Sequence, residues 1–351
     1  MAARMEIASS GQPAWRTERF GHPIGLPVLF SVEMWERFSF YGMRSILVLY
    51  LRSELLPSAA FDECVGAGVV KSLVGGSPTT PGEVQRAAST IYGLYTGFNY
   101  LTPLIGGYAA DKWLGKKLCV ASGLAVMGIG HFLMVVPSLF FVGLVLIVCG
   151  SGLFKPNMSV QLGGLYPAGD SRRDRAFSIF YMGVNLGAFF SPLVVGTIGD
   201  PSVLGYRVGF SIAGFGMCAG LLTYCSLGRY LPPADLATTG PAAGEEASDA
   251  DEGGSGGSVV DKADAQKRLF ALLLVCVTLV PYTIAYEQQG NTIQIFFDDH
   301  VDRSLPTVAG LFGLGSDWRI PSAWLQAVVR TPLTHSTHTA VRSSHLYRRL
   351  V

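Results

Sequence analysis

The feature that most constrains this chain is a cluster of charged residues inside an apolar stretch. Glu33, Glu36 and Arg37 lie in a run that is otherwise mostly apolar from 26 to 51. A run of this length can cross a bilayer as a helix, which takes about 20 residues. Three unpaired ionisable side chains at its centre would cost roughly 8–10 kcal/mol, and the apolar neighbours return only around half of that. Charges this costly usually face a protein interior or a water-filled cavity, where they serve a function.

The composition is typical of an integral membrane protein. Charged residues make up 15% of the chain and hydrophobic residues 49%, whereas soluble chains contain roughly 25% charged residues. The mean hydropathy is +0.37. The 43 glycines fit this class, because small residues let membrane helices approach closely. A net charge of +1 gives no indication of nucleic-acid binding.

The sequence contains no recognisable catalytic or metal-binding motif. The six cysteines lack the spacing of a disulfide framework or a Cys/His metal site. No zinc-protease, nucleophile-elbow or phosphate-loop pattern is present. We therefore expect no enzyme, no catalytic residue, no metal and no cofactor.

The apolar runs predict an all-α membrane protein with six spanning helices and then a seventh. The six spans are predicted at 26–51, 86–110, 117–136, 139–162, 176–198 and 206–230, with a loop at 52–84 after the first. The predicted organisation is a cytoplasmic lead at 1–25, the six-helix bundle at 26–230, a flexible acidic linker at 231–267, helix 7 at 268–297, an outer loop with the start of helix 8 at 298–326, and an aberrant polar tail at 327–351. The linker is rich in Pro, Ala, Gly and Ser and buries too little apolar surface to fold.

Basic residues predict the orientation in the membrane. Lys112, Lys116 and Lys117 lie between helices 2 and 3, and Arg172 and Arg173 lie between helices 4 and 5. Loops rich in Lys and Arg stay on the cytoplasmic side. No signal-peptide core precedes helix 1. We expect a plasma-membrane or inner-membrane protein with a cytoplasmic amino terminus, in contact with the lipid bilayer.

The charged residues of helix 1 share one face. At 100° per residue, the polar and aromatic members of this face fall within an arc of about 140°: Glu33, Glu36, Arg37, Phe40, Tyr41 and Arg44. A surface amphipathic helix with Glu/Arg pairs is the alternative interpretation. It is the weaker one, because the apolar run continues beyond both ends of the cluster.

Depths in the membrane predict partners for these charges. A helix rises about 1.5 Å per residue, so Lys155 in helix 4 reaches a level similar to that of Glu33 and Glu36. We therefore expect Lys155 to pair with one of them; the alternative is that its side chain reaches out to the membrane interface. Arg44 and Glu287 share a second level nearer the outside, which predicts a breakable link between two bundles.

Two further residues have a structural interpretation. Asp111 stands at a helix end before a basic turn, where it can accept hydrogen bonds from the amino terminus of a neighbouring helix. We expect it to act in structure and gating rather than in substrate binding. His131 in helix 3 is expected to be a packed core histidine rather than a proton carrier.

Several motifs resemble known families. The segment GYAADKWLGKK at 107–117 resembles the loop 2–3 signature of the major facilitator superfamily. The segment EMWERFSFY at 33–41 resembles the first-helix motif of proton-dependent oligopeptide transporters, and GLFKPN at 152–157 and FYMGVNLG at 180–187 resemble the helix 4 and helix 5 signatures of that family. The resemblance covers about residues 20–326.

The resemblance implies a twelve-helix transporter of two six-helix bundles that imports di- and tripeptides together with protons. It implies proton coupling by Glu33, Glu36, Arg37 and Lys155, with Lys155 also reading the peptide carboxylate. It implies a peptide site lined by Tyr41, Tyr100, Lys155, Asn185 and Glu287. It also implies that Arg44 and Glu287 form a gate, with Asp111 contributing to gating.

Three departures from the family pattern limit what is expected. Phe40 stands where the family usually has tyrosine, and Gly93 where animal members have histidine. After Gln326 no further span is predicted, so we expect an incomplete chain that does not transport by itself. The alternatives are a non-transporting fragment that associates with full-length transporters, or a family member that carries another small substrate such as nitrate.

Overall fold

The computed structural model describes residues 14–167, 169–232, 279–304 and 319–324, together with residues 270, 274, 277 and 327. These residues form a largely helical protein. Most of the predicted lead, nearly all of the predicted linker at 231–267 and nearly all of the tail at 327–351 lie outside the described residues. The described part of the lead contains a two-stranded antiparallel hairpin, β1 (Glu18–Arg19) and β2 (His22–Pro23).

Six α-helices of the described residues agree closely with the six predicted bundle spans, and two further ones are shorter. Their bounds are α1 Gly25–Tyr50, α2 Ala67–Val74, α3 Pro81–Ala109, α4 Lys116–Leu133, α5 Phe140–Gly163, α6 Arg173–Ile198, α7 Tyr206–Leu227 and α8 Thr292–His300. Among the described residues, four segments can cross a membrane by length and composition: Lys116–Leu133, Pro137–Gly163, Arg173–Ile198 and Tyr206–Tyr230. Helices α1 and α3 have 26 and 29 residues, which is also long enough for a span.

The structure corrects two predictions for the region between α1 and α3. Helix α3 begins at Pro81 rather than at 86, because Thr80 and Glu83 form a capping box and Pro81 occupies the first turn. The predicted loop at 52–84 is not without structure, since it contains α2. This short helix forms because Val70 and Val74 on one side of it pack against the core.

The predicted helix 7 is not continuous. Residues 279–287 are helical, a 3₁₀ turn follows at Gln288–Gly290, and Asn291 has φ −130° and ψ −91° before α8 begins. Glycine weakens a helix interior, and the Asn291 side chain accepts a hydrogen bond from Ser89 Oγ at 2.9 Å. The helix therefore breaks where tertiary contacts hold its backbone.

Helix α1 is the centre of the bundle. It packs against α6 and α7, while α5 packs against α3 and α4, and α4 also packs against α7. The contact between α1 and α6 is close at Gly187, because a Cβ atom there would collide with the backbone carbonyl oxygen of Met34. Small residues permit such approaches between membrane helices. The backbone of α1 beside the charged cluster is thus fixed against α6.

The described start of the predicted helix 8 contacts the same bundle. Trp324 Nε1 donates a hydrogen bond to Thr197 Oγ1 of α6 at 2.8 Å. A single β-bridge pairs Ser304 with Arg319. The Trp324 contact connects this segment to the carboxyl-terminal end of α6.

Candidate functional site

The acids and the base of α1 form an inner cluster, defined here as Glu33, Glu36 and Arg37. Arg37 Nε lies 3.0 Å from Glu33 Oε1, and it also pairs with Glu36 Oε2. Glu36 is fully buried, and Glu33 and Arg37 are 7% and 9% exposed. Burial of charge is costly unless the charge is paired, so Arg37 is what allows two carboxylates to stay inside the bundle.

The aromatic ring of Phe40 packs against the inner cluster. The ring lies beneath two cations, with the Arg37 Cζ atom 5.4 Å and the Lys155 Nζ atom 5.0 Å from the ring centroid. Cations at such distances are attracted to the negative face of an aromatic ring. In the sequence, Phe40 stood out only because it replaces the tyrosine of the family. In the structure, its ring stabilises both positive charges.

Lys155 reaches the inner cluster but does not form the predicted ion pair. Its Nζ atom donates to Asn99 Oδ1 at 3.4 Å. Among the described residues, the salt bridges of Glu33 and Glu36 are both with Arg37. The expected pairing of Lys155 with Glu33 or Glu36 is thus wrong for this conformation, because Arg37 on the same helix already occupies the carboxylates. The expected depth of Lys155 is correct.

The outer pair, defined as Arg44 and Glu287, forms as the depth argument predicted. Arg44 Nη2 lies 2.6 Å from Glu287 Oε2, and the two side chains are 7% and 14% exposed. Arg44 Nε also donates to the Tyr92 hydroxyl at 2.6 Å. The Tyr100 hydroxyl donates to Glu287 Oε1 at 2.7 Å. An ion pair that also satisfies neighbouring hydroxyls is strongly held.

Gly290 allows the break after residue 287 to approach the outer pair. A Cβ atom at this position would collide with the Tyr92 hydroxyl and would lie 2.8 Å from Arg44 Nε. One residue before it, the buried Gln289 lies in the same turn. Close approach of backbone is a common use of glycine, so the turn is shaped to fit against α1 and α3.

The remaining predicted peptide-site residues are less enclosed. Tyr41 is half-buried and lies beside Arg37. Tyr100 is 60% exposed even though its hydroxyl contacts Glu287. Asn185 is exposed on α6, and no hydrogen bond joins it to the inner cluster within the described part of the chain. The structure therefore places Tyr41 beside the inner cluster and Tyr100 beside the outer pair, whereas Asn185 is exposed on α6.

Asp111 meets the amino terminus of α4 through the side chain of Lys116, the first residue of that helix, rather than through the expected hydrogen bonds from backbone amides. Its side chain is 64% exposed, and its Oδ1 atom lies 3.8 Å from Lys116 Nζ in the next turn. A further connection is made by Lys117, whose Nζ donates to the carbonyl oxygens of Gly228 and Leu231 at 3.3 and 3.1 Å. His131 is fully buried, with Nδ1 2.7 Å from the Met127 carbonyl oxygen, as expected of a core histidine.

Sequence reasoning missed three polar residues of α3. Tyr92, Tyr95 and Asn99 are each 3% exposed and lie at spacings of three and four residues, which places them on one helix face. Tyr92 contacts the outer pair, and Asn99 contacts Lys155. The spacing of these residues in an apolar span was the signal that could have identified them.

Comparison with known proteins places this arrangement in context. The sequence profile of the POT family matches residues 117–230. The chain is 42% identical over 221 residues to the peptide transporter YePEPT of Yersinia enterocolitica, covering 62% of this chain and 39% of the relative. It is 39% identical over 214 residues to a di-/tripeptide transporter of Lactococcus lactis, covering 60% of this chain and 39% of the relative.

Solved structures give the same result for the fold. A crystal structure of peptide transporter POT in complex with sulfate matches with a TM-score of 0.59 and 26% identity, covering 93% of this chain and 70% of that chain. In sequence, the chain spans about two fifths of the length of the two curated relatives named above (39% of each). The matched architecture is the amino-terminal six-helix bundle with helix 7 of a major-facilitator fold.

Proposed function

We propose that this chain, whose residues 117–230 match the POT family, is the amino-terminal part of a peptide transporter of that family that couples the import of di- and tripeptides to protons. The relatives are named as peptide transporters, and an integral membrane protein with such a bundle fits that role. The proton coupling and the residues assigned to it are our inference from the charges of the site.

The observation that carries the proposal is the charge balance of the inner cluster with Lys155. Two buried carboxylates, Glu33 and Glu36, lie near two cations, the buried Arg37 and the half-buried Lys155. A proton added to either carboxylate leaves one uncompensated positive charge. A peptide carboxylate that binds there restores neutrality, so proton and peptide favour each other's binding.

Lys155 is the cation best placed to receive a peptide carboxylate. Its ammonium group is held by one long hydrogen bond to Asn99 and by the Phe40 ring, whereas Arg37 is held by two carboxylates. Exchange of a weak neutral partner for a charged one is favourable, because charge-assisted hydrogen bonds are the stronger kind. In this proposal the peptide amino group binds near Glu287, the carboxylate beside the Tyr100 hydroxyl, where it exchanges with Arg44.

The outer pair supplies the gate in this proposal. Arg44 lies on α1 and Glu287 lies beyond the linker, so their ion pair joins the bundle to helix 7. A peptide amino group that pairs with Glu287 competes with Arg44 for the same carboxylate. Peptide binding can thereby bias the equilibrium between closed and open states.

Uptake into proteoliposomes tests the proposal. The 351-residue chain is compared with a chimera that continues after Gln326 with the carboxyl-terminal bundle of YePEPT, because a second bundle provides the opposing face for alternating access. We expect dipeptide uptake by the chimera that requires an inward proton gradient and that Glu36→Gln abolishes. Uptake unaffected by collapse of the gradient, or by Glu36→Gln, would overturn the proton coupling.

Nitrate or another small anion is the competing substrate. A small anion needs the cations Arg37 and Lys155. It makes no use of Glu287 or of the hydroxyl groups beside that residue. Competition of unlabelled nitrate against dipeptide uptake distinguishes the two cases. We expect dipeptides to compete and nitrate not to do so.

A further inference from the structure

Helices α1 and α3 run antiparallel with polar residues at matching levels. Arg44 on α1 contacts Tyr92 on α3, and one level further in, the Phe40 ring stacks on the Tyr95 ring, with 6.3 Å between centroids and 27° between planes. At the level of Glu36, Asn99 holds Lys155. The α3 face therefore extends from the outer pair to the inner cluster.

Tyr95 occupies the middle of this face. It is 3% exposed, and its hydroxyl interacts with the Asn99 side chain and lies within electrostatic reach of both Glu36 and Arg44. Within the described residues the hydroxyl reaches no partner in full hydrogen-bond geometry, and the same holds for Glu36 Oε1. Buried polar atoms rarely remain without partners, and here a donor on α3 and an acceptor on α1 are both buried without one.

We propose that Tyr95 is a positioning residue for Glu36, whose carboxylate accepts a hydrogen bond from the Tyr95 hydroxyl when Arg37 turns away. The inference rests on the proposed function, in which the inner cluster changes its charge. Arg37 can leave Glu36 only if another donor holds the buried carboxylate. Tyr95 is the donor that α3 presents, and its ring is already fixed by Phe40.

The position of Phe40 gives this role a structural reason. Phe40 has no hydroxyl to offer the inner cluster, and its ring is occupied by the Arg37 and Lys155 cations. Tyr95, stacked on that ring, brings a hydroxyl to the same buried region from another helix. Removal of this hydroxyl leaves the stacking surface unchanged, so Tyr95→Phe is a narrow perturbation.

A double-mutant cycle on the 351-residue chain tests the contact without any transport. Because the proposed hydrogen bond forms when Arg37 leaves Glu36, the cycle is made in an Arg37→Ala background. Thermal unfolding in detergent is measured there for Tyr95→Phe, Glu36→Gln and the double variant, with Tyr92→Phe and Glu36→Gln as the matched cycle. We expect the shifts in Tm for Tyr95 and Glu36 to be non-additive, since contacting residues couple. We expect those for Tyr92 and Glu36 to add, because the Tyr92 hydroxyl serves Arg44. Additive shifts at Tyr95, or equal coupling at Tyr92, would overturn the proposal.

A transport measurement separates positioning from a merely structural role. In the chimera, Tyr95→Phe should lower gradient-driven uptake about tenfold, the effect of losing one hydrogen bond to a charged group. Counterflow exchange, which needs no net proton movement, should change little. An equal fall in both would mean that Tyr95 only supports the fold, which overturns the proposal. If the unsubstituted chimera shows no uptake, the proposed function fails, while the stability cycle still decides on the contact.

Discussion

Among the described residues, two ion pairs join α1 and the turn directly after it to the segment that follows the linker, and they provide a matched test of burial. The outer pair of Arg44 and Glu287 has an N–O distance of 2.6 Å and side chains that are 7% and 14% exposed. The pair of Arg52 and Asp299 has a distance of 2.7 Å but side chains that are 29% and 31% exposed. The two pairs have nearly the same length and differ chiefly in contact with solvent.

Burial determines the expected cost of removing each carboxylate. Charges about 4 Å apart interact by about 4 kcal/mol at an effective dielectric constant near 20, and by about 1 kcal/mol in water. Removal of one partner from a buried pair typically costs 3–5 kcal/mol, whereas an exposed pair contributes about 0.2–1 kcal/mol. We therefore expect Glu287→Gln to lower the free energy of unfolding by about 3 kcal/mol and Asp299→Asn by less than about 1 kcal/mol.

The free energy of unfolding can be measured in mixed micelles by titration with a denaturing detergent. Arg44→Glu combined with Glu287→Arg should recover part of the loss seen in either single reversal, because the pair is rebuilt with its charges exchanged. Equal costs for Glu287→Gln and Asp299→Asn would refute the argument from burial. Failure of the double reversal to recover any stability would count against direct pairing.

Four further outcomes are expected. Gly187→Leu should prevent insertion of a folded bundle or lower its Tm by several degrees, because the new side chain collides with the α1 backbone; Tm in detergent checks this against the smaller Gly187→Ala. Thr80→Ala should cost about 1 kcal/mol in unfolding experiments, the usual effect of losing an N-cap. Hydrogen bonds from the backbone amides of Thr79 and Thr80 lower the pKa of Glu83 to about 2. The contribution of Glu83 to the free energy of unfolding should therefore be complete above about pH 4.5 and disappear as the pH falls towards 2. Unfolding measured at several pH values checks this. Lys155→Ala should abolish dipeptide uptake by the chimera without preventing its insertion, and uptake at wild-type level would contradict the role given to this ammonium group.

The sequence was sufficient for the outer pair because its prediction required only a constant helix rise. Arg44 and Glu287 were matched by counting residues from the membrane edge, and the structure joins them. The same counting brought Lys155 to the right level but could not choose its partner. A flexible side chain selects among neighbours within reach, and here the Phe40 ring and Asn99 are the ones it contacts.

The break in helix 7 could not be predicted from local preference. An apolar run with one Gly-Asn pair is compatible with either a continuous or a broken helix, since tertiary context overrides propensity. The decisive contacts come from elsewhere in the chain: Ser89 holds Asn291, and Tyr92 approaches Gly290 too closely for a side chain. Both partners lie on α3, so the break requires knowledge of which helix lies opposite.

Different movements would break the inner cluster and the outer pair. Arg37 is bound to two carboxylates on its own helix, so any rigid movement of α1 carries the inner cluster along intact. Arg44 is bound to a residue 243 positions later in the chain, so movement of helix 7 away from α1 breaks the outer pair and leaves the inner one unchanged. A signal between the clusters therefore needs an element that contacts both. Helix α3 meets that requirement, because Tyr92 touches the outer pair, Asn99 touches Lys155, and Tyr95 lies between them.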